Sequence, residues 1–297
     1  MRFSILIPSW NNLPYLKLCV ESIQKNSAYD HQILIHINGG GTDGTLEWVK
    51  EKGLEYTISE ENIGVCWSLN LLRTKVKTDY ICFVNDDMYL LPGWDVELSK
   101  AIEGQKDNMF FFSCTSIQPN LPCQEAGSGV LANYGDSVET FDEARLLDEY
   151  ETLALPDWNG ATMPPNVVHR DVWDYVGGYS IEFSPGMASD LDFTAKLMYS
   201  GVKEFRGLGK SLVYHFEQKS TARIRKNDGN FQFLLKWGTS ISTMRKYVER
   251  RGTPYETDAY KKRDFKTLRR KAFRYYLKAV VQLIRQKRSI LDYFWEK

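Results

Sequence analysis

Thr78-Asp79-Tyr80-Ile81-Cys82-Phe83-Val84-Asn85-Asp86-Asp87 is the stretch on which the fold turns. Tyr80 to Val84 is apolar or small and rich in β-branched and aromatic types, which suits a strand buried on both faces. It runs straight into Asn85, Asp86 and Asp87. Adjacent carboxylates at the end of a buried strand repel each other and lose hydration, so they call for a compensating positive charge. A divalent cation supplies one, and carboxylates with open water positions suit Mg²⁺ or Mn²⁺, an ion that would neutralise a bound diphosphate. The other reading is a strand that ends in a polar turn, with Asp87 capping the next element; this stretch alone leaves both open.

Working outward, Phe3 to Ile7 reads as a first strand broken by Pro8, with Ser9-Trp10-Asn11-Asn12 as turn chemistry before a helix from about Pro14 to Asn26. Ile33 to Ile37 is a second strand, Asn38 to Thr45 a loop, and Leu46 to Lys52 a helix. A short strand near Tyr56 to Ser59 precedes Glu61-Asn62-Ile63-Gly64, and Val65 to Thr74 reads as helical. Strands alternating with helices at this spacing predict an α/β fold with a Rossmann-like, mostly parallel sheet flanked by helices. In such a sheet ligands sit beyond the carboxyl ends of the strands, where Pro8-Ser9, Asn38 to Gly41, Asn62 to Gly64 and Asn85 to Asp87 would form one polar rim. Gly39, Gly41 and Gly44 do not make Gly-x-Gly-x-x-Gly and no Gly-Lys-Ser/Thr follows, which disfavours a dinucleotide fingerprint and a Walker phosphate loop. The Asn38 amide is able to bond a nucleobase edge; a turn-forming asparagine before glycine is the plainer account.

Ile7-Pro8-Ser9-Trp10-Asn11, Asn38-Gly-Gly-Gly-Thr-Asp43-Gly44-Thr45, Glu61-Asn62-Ile63-Gly64 and Phe83-Val84-Asn85-Asp86-Asp87, in this order, resemble the successive motifs of family 2 glycosyltransferases with the GT-A fold. The resemblance spans about residues 3 to 220. It implies that Pro8, Ser9, Asn11, Asn62 and Gly64 line a nucleotide-sugar pocket, that Asn38 faces the base, and that Asp87 is the main metal ligand. Asn85 and Asp86 would lie on the donor side, Asp86 toward the sugar or ribose or sharing the metal. Asn38 and Asn85 stand where the family often has Asp, and Leu69 where it often has Arg.

Further along, Met109 to Cys114 reads as a strand. Gln118 to Asp157 then carries nine Asp/Glu against the single Arg145, a long acidic segment expected to be an acceptor-side lid or a solvated loop. Trp158, Asn159 and Gly160 resemble the family's acceptor-side strand. Ala188-Ser189-Asp190-Leu191-Asp192 opens a helix, where acids gain from the dipole. By resemblance Asp190 occupies the catalytic base position, with Ser189 in place of the usual Glu. Lys210 to His215 reads as a last strand, and the resemblance makes His215 a second metal ligand, its neutral imidazole suited to Mn²⁺. The implied activity is metal-dependent, inverting transfer of a hexosyl or related sugar from a nucleotide-diphosphate donor, a UDP-sugar favoured, to a hydroxyl of a glycan or lipid-linked acceptor.

The chain of 297 residues allows a GT-A catalytic domain over 1–220, its donor half about 1–110 and its acceptor half about 111–220, and a helical C-terminal extension over 221–297. Formal net charge is zero, yet Ala259 to Lys297 holds 13 Lys/Arg against three Asp/Glu. There Phe265, Leu268, Ala272, Tyr276, Ala279 and Leu283 recur at helical spacing beside Arg270, Arg274 and Lys278, a basic helix suited to an anionic membrane surface, to the catalytic domain or to a partner chain. No nucleic-acid module accompanies the charge, so nucleic acid is not expected. Five cysteines without Cys-x-x-Cys spacing read as reduced thiols. The opening strand leaves no room for a signal peptide and no 18-residue apolar run occurs, so the expected location is cytoplasmic, with peripheral contact at the inner membrane face. Two other classes compete: a non-catalytic nucleotide-sugar or glycan binder, and a nucleotidyltransferase, which would show a Leu-x-Gly-Gly start that Ile7-Pro8-Ser9-Trp10 lacks.

Overall fold

The computed structural model describes residues 1–120, 127–217, 227–257 and 265–286. Strand β1 (Phe3–Ser9) leads through helix α1 (Leu13–Asn26) to β2 (Gln32–Ile37), then through α2 (Thr45–Glu51) to β3 (Glu55–Ile58) and through α3 (Gly64–Arg73) to β4 (Tyr80–Phe83). β2 and β4 pair with opposite edges of β1, both parallel, and β3 adds to β2. The chain thus reverses direction across the sheet after β3, and the loops leaving β1 and β4 diverge to open a crevice at their carboxyl ends. β1 runs through Pro8, where the sequence predicts a break. Its ladder to β4 has already ended at Leu6–Phe83, so the missing proline N–H costs no bond on that side.

After β5 (Met88–Leu90) and α4 (Trp94–Glu103) come β6 (Phe110–Gln118), β7 (Gly129–Leu131), α5 (Glu143–Glu149), β8 (Trp158–Asn159), β9 (Asn166–His169), α6 (Arg170–Val176), α7 (Ser189–Tyr199) and β10 (Glu204–His215). The sheet order is β3-β2-β1-β4-β9-β6-β10-β5. β9 lies antiparallel between β4 and β6, and β5 and β8 are antiparallel to β10, so the second half of the sheet is mixed.

Period-two alternation divides the core. Phe3, Ile5 and Ile7 face α1, α2 and α4, whose Cys19, Val49 and Leu98 are fully buried, while Leu6, Leu34 and Phe83 face α3, α6 and α7. Leu69, where the family often has arginine, lies wholly inside the second cluster.

The acidic segment is not a solvated loop in its described part, residues 127–157. Tyr134 and Leu146 pack with Tyr89, Leu91, Leu212 and Tyr214 in a third cluster. Glu143 is tied to Lys25 and Tyr89, and Asp157 to Arg206 and the Gly209 N–H. Glu125 and Cys123 lie outside the described residues; Cys19, Cys66, Cys82 and Cys114 are buried free thiols.

Residues 218–226, where the boundary near 221 is expected, lie outside the described residues. Past them, α8 (Gly229–Trp237) puts Phe233 into the second cluster, and after α9 (Ile241–Thr243) a π-helical turn over Met244–Glu249 adds Met244. Within the helical extension expected over 221–297, Gly238, whose backbone is left-handed, ends α8. Helix α10 (Phe265–Gln286) rests on α8 through Ala279, Tyr275 and Leu283. Arg263 and residues beyond 286 lie outside the described residues.

Candidate active site

The crevice between β1 and β4 is a cleft of about 390 Å³ lined by Pro8, Ser9, Asn38, Asn62, Gly64, Asn85, Asp86, Asp87, Asp190 and His215. Four polar loops and two distant segments therefore meet in one place.

Asp86 and Asp87 leave β4 in opposite directions. Asp86 Oδ2 accepts a 2.7 Å hydrogen bond from Ser9 Oγ, which ties the end of β4 to the end of β1. Asp87 precedes β5, and the antiparallel pairing that sets Met88 opposite His215 brings His215 Nε2 to 3.3 Å from Asp87 Oδ1. Both side chains are largely buried. Two protein ligands of this kind, one carboxylate and one imidazole, leave the remaining positions of Mn²⁺ or Mg²⁺ to phosphate oxygens and water. Among the described residues no group of three or more His, Cys, Asp or Glu forms a closed cage. The surroundings fit an ion at this pair. Gln118 Nε2 stands 3.4 Å from His215 Nδ1, while Gln118 Oε1 is buried without a hydrogen-bond partner. Turning that amide over would let Oε1 accept from Nδ1–H and free Nε2 for a metal, the usual support of a ligating histidine.

Asn38, at the cleft wall, has part of its amide engaged by protein. Its Nδ2 donates to Asn62 Oδ1 at 2.7 Å, and its Oδ1 accepts from the Ile63 N–H at 2.8 Å and from Ser59 Oγ at 3.2 Å. Ser59 is held in turn by His36, whose burial lowers its pKa to about 4. Asn38 thus clasps the 59–64 loop while still lining the cleft. Asn11 is likewise displaced from the cleft lining; its Oδ1 accepts from the Thr42 N–H at 3.1 Å. Asp43 caps two helices, accepting from the Leu13 N–H and from the Thr45 N–H and hydroxyl. Gly64 has φ +77°, and a Cβ there would stand 2.5 Å from Pro185 Cα. Its place is fixed by that close approach, reinforced by the Val65 N–H donating to the Pro185 carbonyl.

Asp190 and Asp192 sit in the first turn of α7 and have different fates. Asp192 is fully buried, bonded to Trp237 Nε1 at 2.8 Å and paired with Lys236 at 2.9 Å. Asp190 opens on the cleft and is otherwise surrounded by protein; Oδ1 accepts from the Tyr179 hydroxyl at 3.1 Å. Desolvation pushes its pKa up to about 6, opposed by the Tyr179 hydrogen bond and by the positive charges of Arg245 and Arg251.

Trp158, Asn159 and Gly160 do not line the cleft. Trp158 Nε1 donates to Thr115 Oγ1, Asn159 Nδ2 donates to Thr253 Oγ1 and the Pro254 carbonyl, and Gly160 lies against the backbone of Glu249 and Arg251. With β8 buried against β10, these residues support the 249–254 turn. Trp10, Val65, Pro185, Met187 and Glu217 also line the cleft. Of these only Trp10 carries a signal in the sequence, as the aromatic inside the first motif.

Residues 4–127 match the family described as Glycosyl transferase family 2. The fold is of the GT-A type, similar to solved glycosyltransferases at low identity. S. aureus TarS 1-349 in complex with UDP-GlcNAc has TM-score 0.55 and 15% identity, covering 81% of this chain and 68% of that one. GalNAc-T7 with UDP, GalNAc and Mn²⁺ has TM-score 0.56 and 14% identity, covering 88% and 55%. Mannosyltransferase PcManGT from Pyrobaculum calidifontis, with GDP-Man and Mn²⁺, has TM-score 0.52 and 16% identity, covering 82% and 67%. This chain spans 60% of the length of the uncomplexed TarS 1-349 structure. No curated protein sequence matches the chain. Among the described residues no helix is long and apolar enough to cross a membrane.

Proposed function

Given the family 2 match over residues 4–127 and the geometry of the cleft, we propose that this chain transfers a sugar from a nucleotide-diphosphate donor, a UDP-sugar favoured, to a hydroxyl of a glycan or lipid-linked acceptor, with inversion. The observation that carries the reading is the cleft itself. It places a carboxylate of raised pKa, Asp190, in the same cavity as the Asp87–His215 pair.

Asp87 and His215 would hold Mn²⁺ or Mg²⁺, which when bound neutralises charge on the donor diphosphate. Ser9 fixes Asp86 at the donor side, and Trp10, beside Gly39, gives a nucleobase an aromatic face. Asp190 takes the proton of the acceptor hydroxyl as that oxygen bonds to the anomeric carbon. The bond from that carbon to the diphosphate breaks on the opposite face, its electron pair leaving with the phosphate oxygen. With a pKa of about 6 Asp190 is mostly ionised at neutral pH and more basic than an ordinary carboxylate. The Tyr179 hydroxyl orients it toward the cleft.

The C-terminal helix supports a peripheral membrane contact. One face of α10 packs on α8, while Phe273, Tyr276, Leu277, Val281 and Ile284 are exposed along the helix. Lys271, Arg274, Lys278 and Arg285 follow the same helix, the composition of an interfacial segment.

The test is to incubate the protein with a panel of nucleotide sugars and Mn²⁺ and follow nucleotide release, its loss on chelation, and the anomeric configuration of the product by NMR. Release that depends on metal and acceptor is the expected result. Donor binding with no turnover of any sugar would make the protein a binder.

A further inference from the structure

Apart from the donor cleft, a second cavity of about 660 Å³ is lined by Arg245, Lys246, Arg250 and Arg251 together with the hydroxyls of Ser240 and Ser242. Among the described residues it shares no lining residue with the donor cleft, and no Asp or Glu lines it. The local chain is bent to make it. Met244–Glu249 is wound as a π-helix, Arg250 adopts a left-handed backbone at φ +54°, and the Arg251 N–H returns to the Arg245 carbonyl at 3.2 Å. Trp158, Asn159 and Gly160 hold this turn from behind, Asn159 by its bonds to Thr253 and Pro254 and Gly160 by letting the Arg251 backbone approach.

Gathering four cations costs electrostatic energy unless anions answer them. Glu256 answers Arg250 at 3.1 Å. Arg245 Nε is buried and has no hydrogen-bond partner among the described residues, a cost that an incoming oxyanion would remove. The pocket is also tied to the site of chemistry, since the charges of Arg245 and Arg251 act on Asp190. Several cations plus hydroxyl donors exceed what one carboxylate needs and match the charge and oxygen count of a phosphate.

We propose that this pocket binds a phosphate group carried by the acceptor, as ester or diester, on Arg245, Lys246 and Arg251, positioning the acceptor hydroxyl for Asp190. The assignment rests on the glycosyl-transfer reading above and narrows its acceptor class.

The experiment is calorimetric titration of the full chain with glycerol phosphate, with glycerol and glucuronate as controls, and separately with UDP plus Mn²⁺. Glycerol phosphate is expected to bind at least about tenfold more tightly than either control, less tightly as salt rises, and additively with UDP. Arg245→Gln combined with Lys246→Gln should lose about tenfold or more, Arg245→Lys should keep most of the affinity, and UDP affinity should be unchanged in both. Ser242→Asp, at an exposed rim position, places an anion in the pocket without a core change and should weaken glycerol phosphate similarly. Equal binding of glucuronate, binding that survives both Arg245→Gln/Lys246→Gln and Ser242→Asp, or displacement by UDP would overturn the proposal. If phosphatidylglycerol vesicles retain the parent but lose the Arg245→Gln/Lys246→Gln protein while free glycerol phosphate binds both equally, the pocket holds a membrane headgroup and the acceptor assignment falls. Failure to bind UDP while glycerol phosphate binds would instead overturn the donor reading and leave the phosphate pocket standing.

Discussion

His215 Nε2 lies 3.3 Å from Asp87 Oδ1, and Gln118 stands behind the ring at 3.4 Å from Nδ1. The pair exists because β10 runs antiparallel to β5, so that the last residue of one strand closes on the acid preceding the other. Were this pair to hold the proposed ion through Nε2, the imidazole would carry its proton on Nδ1, which a turned Gln118 amide would accept.

Replacing His215 by Ala should raise the Mn²⁺ dissociation constant by at least about 10–100-fold, the loss that even an outer-sphere partner brings. Gln118→Leu should give a smaller loss, about tenfold, with the fold intact. Both are read by titrating Mn²⁺ electron paramagnetic resonance in the presence of nucleoside diphosphate. Unchanged Mn²⁺ affinity in His215→Ala would remove it from the site.

Burial pushes the Asp190 pKa up to about 6, and the proposed base acts in its ionised form, so on that proposal kcat/KM should rise with pH through about 6 and then level. Asp190→Asn should abolish transfer while UDP affinity persists. The sign of the stability effect is opposite. A carboxyl whose folded pKa is raised above its unfolded value favours the protonated native state, so stability falls as pH rises from about 4 toward 6. At pH 7 Asp190→Asn should therefore be more stable than the parent, on the order of 2 kcal/mol after allowance for its contact with the cleft. Thermal denaturation at pH 4 and pH 7 checks this; an equal difference at both would refute it.

Asn38→Asp restores the residue more usual in the family and should be harmful here. The carboxylate would face Asn62 Oδ1, which cannot turn away without losing the Gly64 N–H bond at 3.0 Å. A loss of about 1–3 kcal/mol in unfolding free energy and weaker nucleotide binding are expected by chemical denaturation and titration.

Gly64→Ala should be costly out of proportion to one methyl group. Its Cβ would meet the Pro185 backbone at 2.5 Å in a left-handed conformation, pushing the segment that leads to Asp190. A destabilisation of about 1–3 kcal/mol is expected, with kcat falling more than donor affinity. A wild-type melting curve would show that the 184–187 segment yields freely.

Exchanging Phe273, Leu277 and Ile284 for Ser should abolish co-sedimentation with anionic vesicles and leave soluble-acceptor turnover unchanged, since these side chains face outward from α10. Retained co-sedimentation would assign the exposed stripe to another partner.

The alternation of strands and helices, the buried strand ending in Asn85-Asp86-Asp87, and the rim of polar loops were legible in the chain because period and turn chemistry are local properties. Asp190 and Asp192 were legible only as two acids in the first turn of one helix, which local pattern does not tell apart. What local signals left open was which polar group is spent and which is free. Asn38 and Asp43, both inside one motif, also tie loops together, because their partners Asn62, Ile63 and Leu13 come from elsewhere in the chain. The acidic segment reads as solvated until Tyr134 and Leu146 are seen under it, and the basic turn at 245–251 reads as one more helical stretch. Composition and periodicity thus determined the layered sheet and the end of it where ligands bind. Strand register and long-range side-chain pairing, which no local pattern encodes, decided that His215 meets Asp87, that Asp192 is buried against Trp237 while Asp190 faces the cleft, and that Arg245 and Arg251 act on that acid.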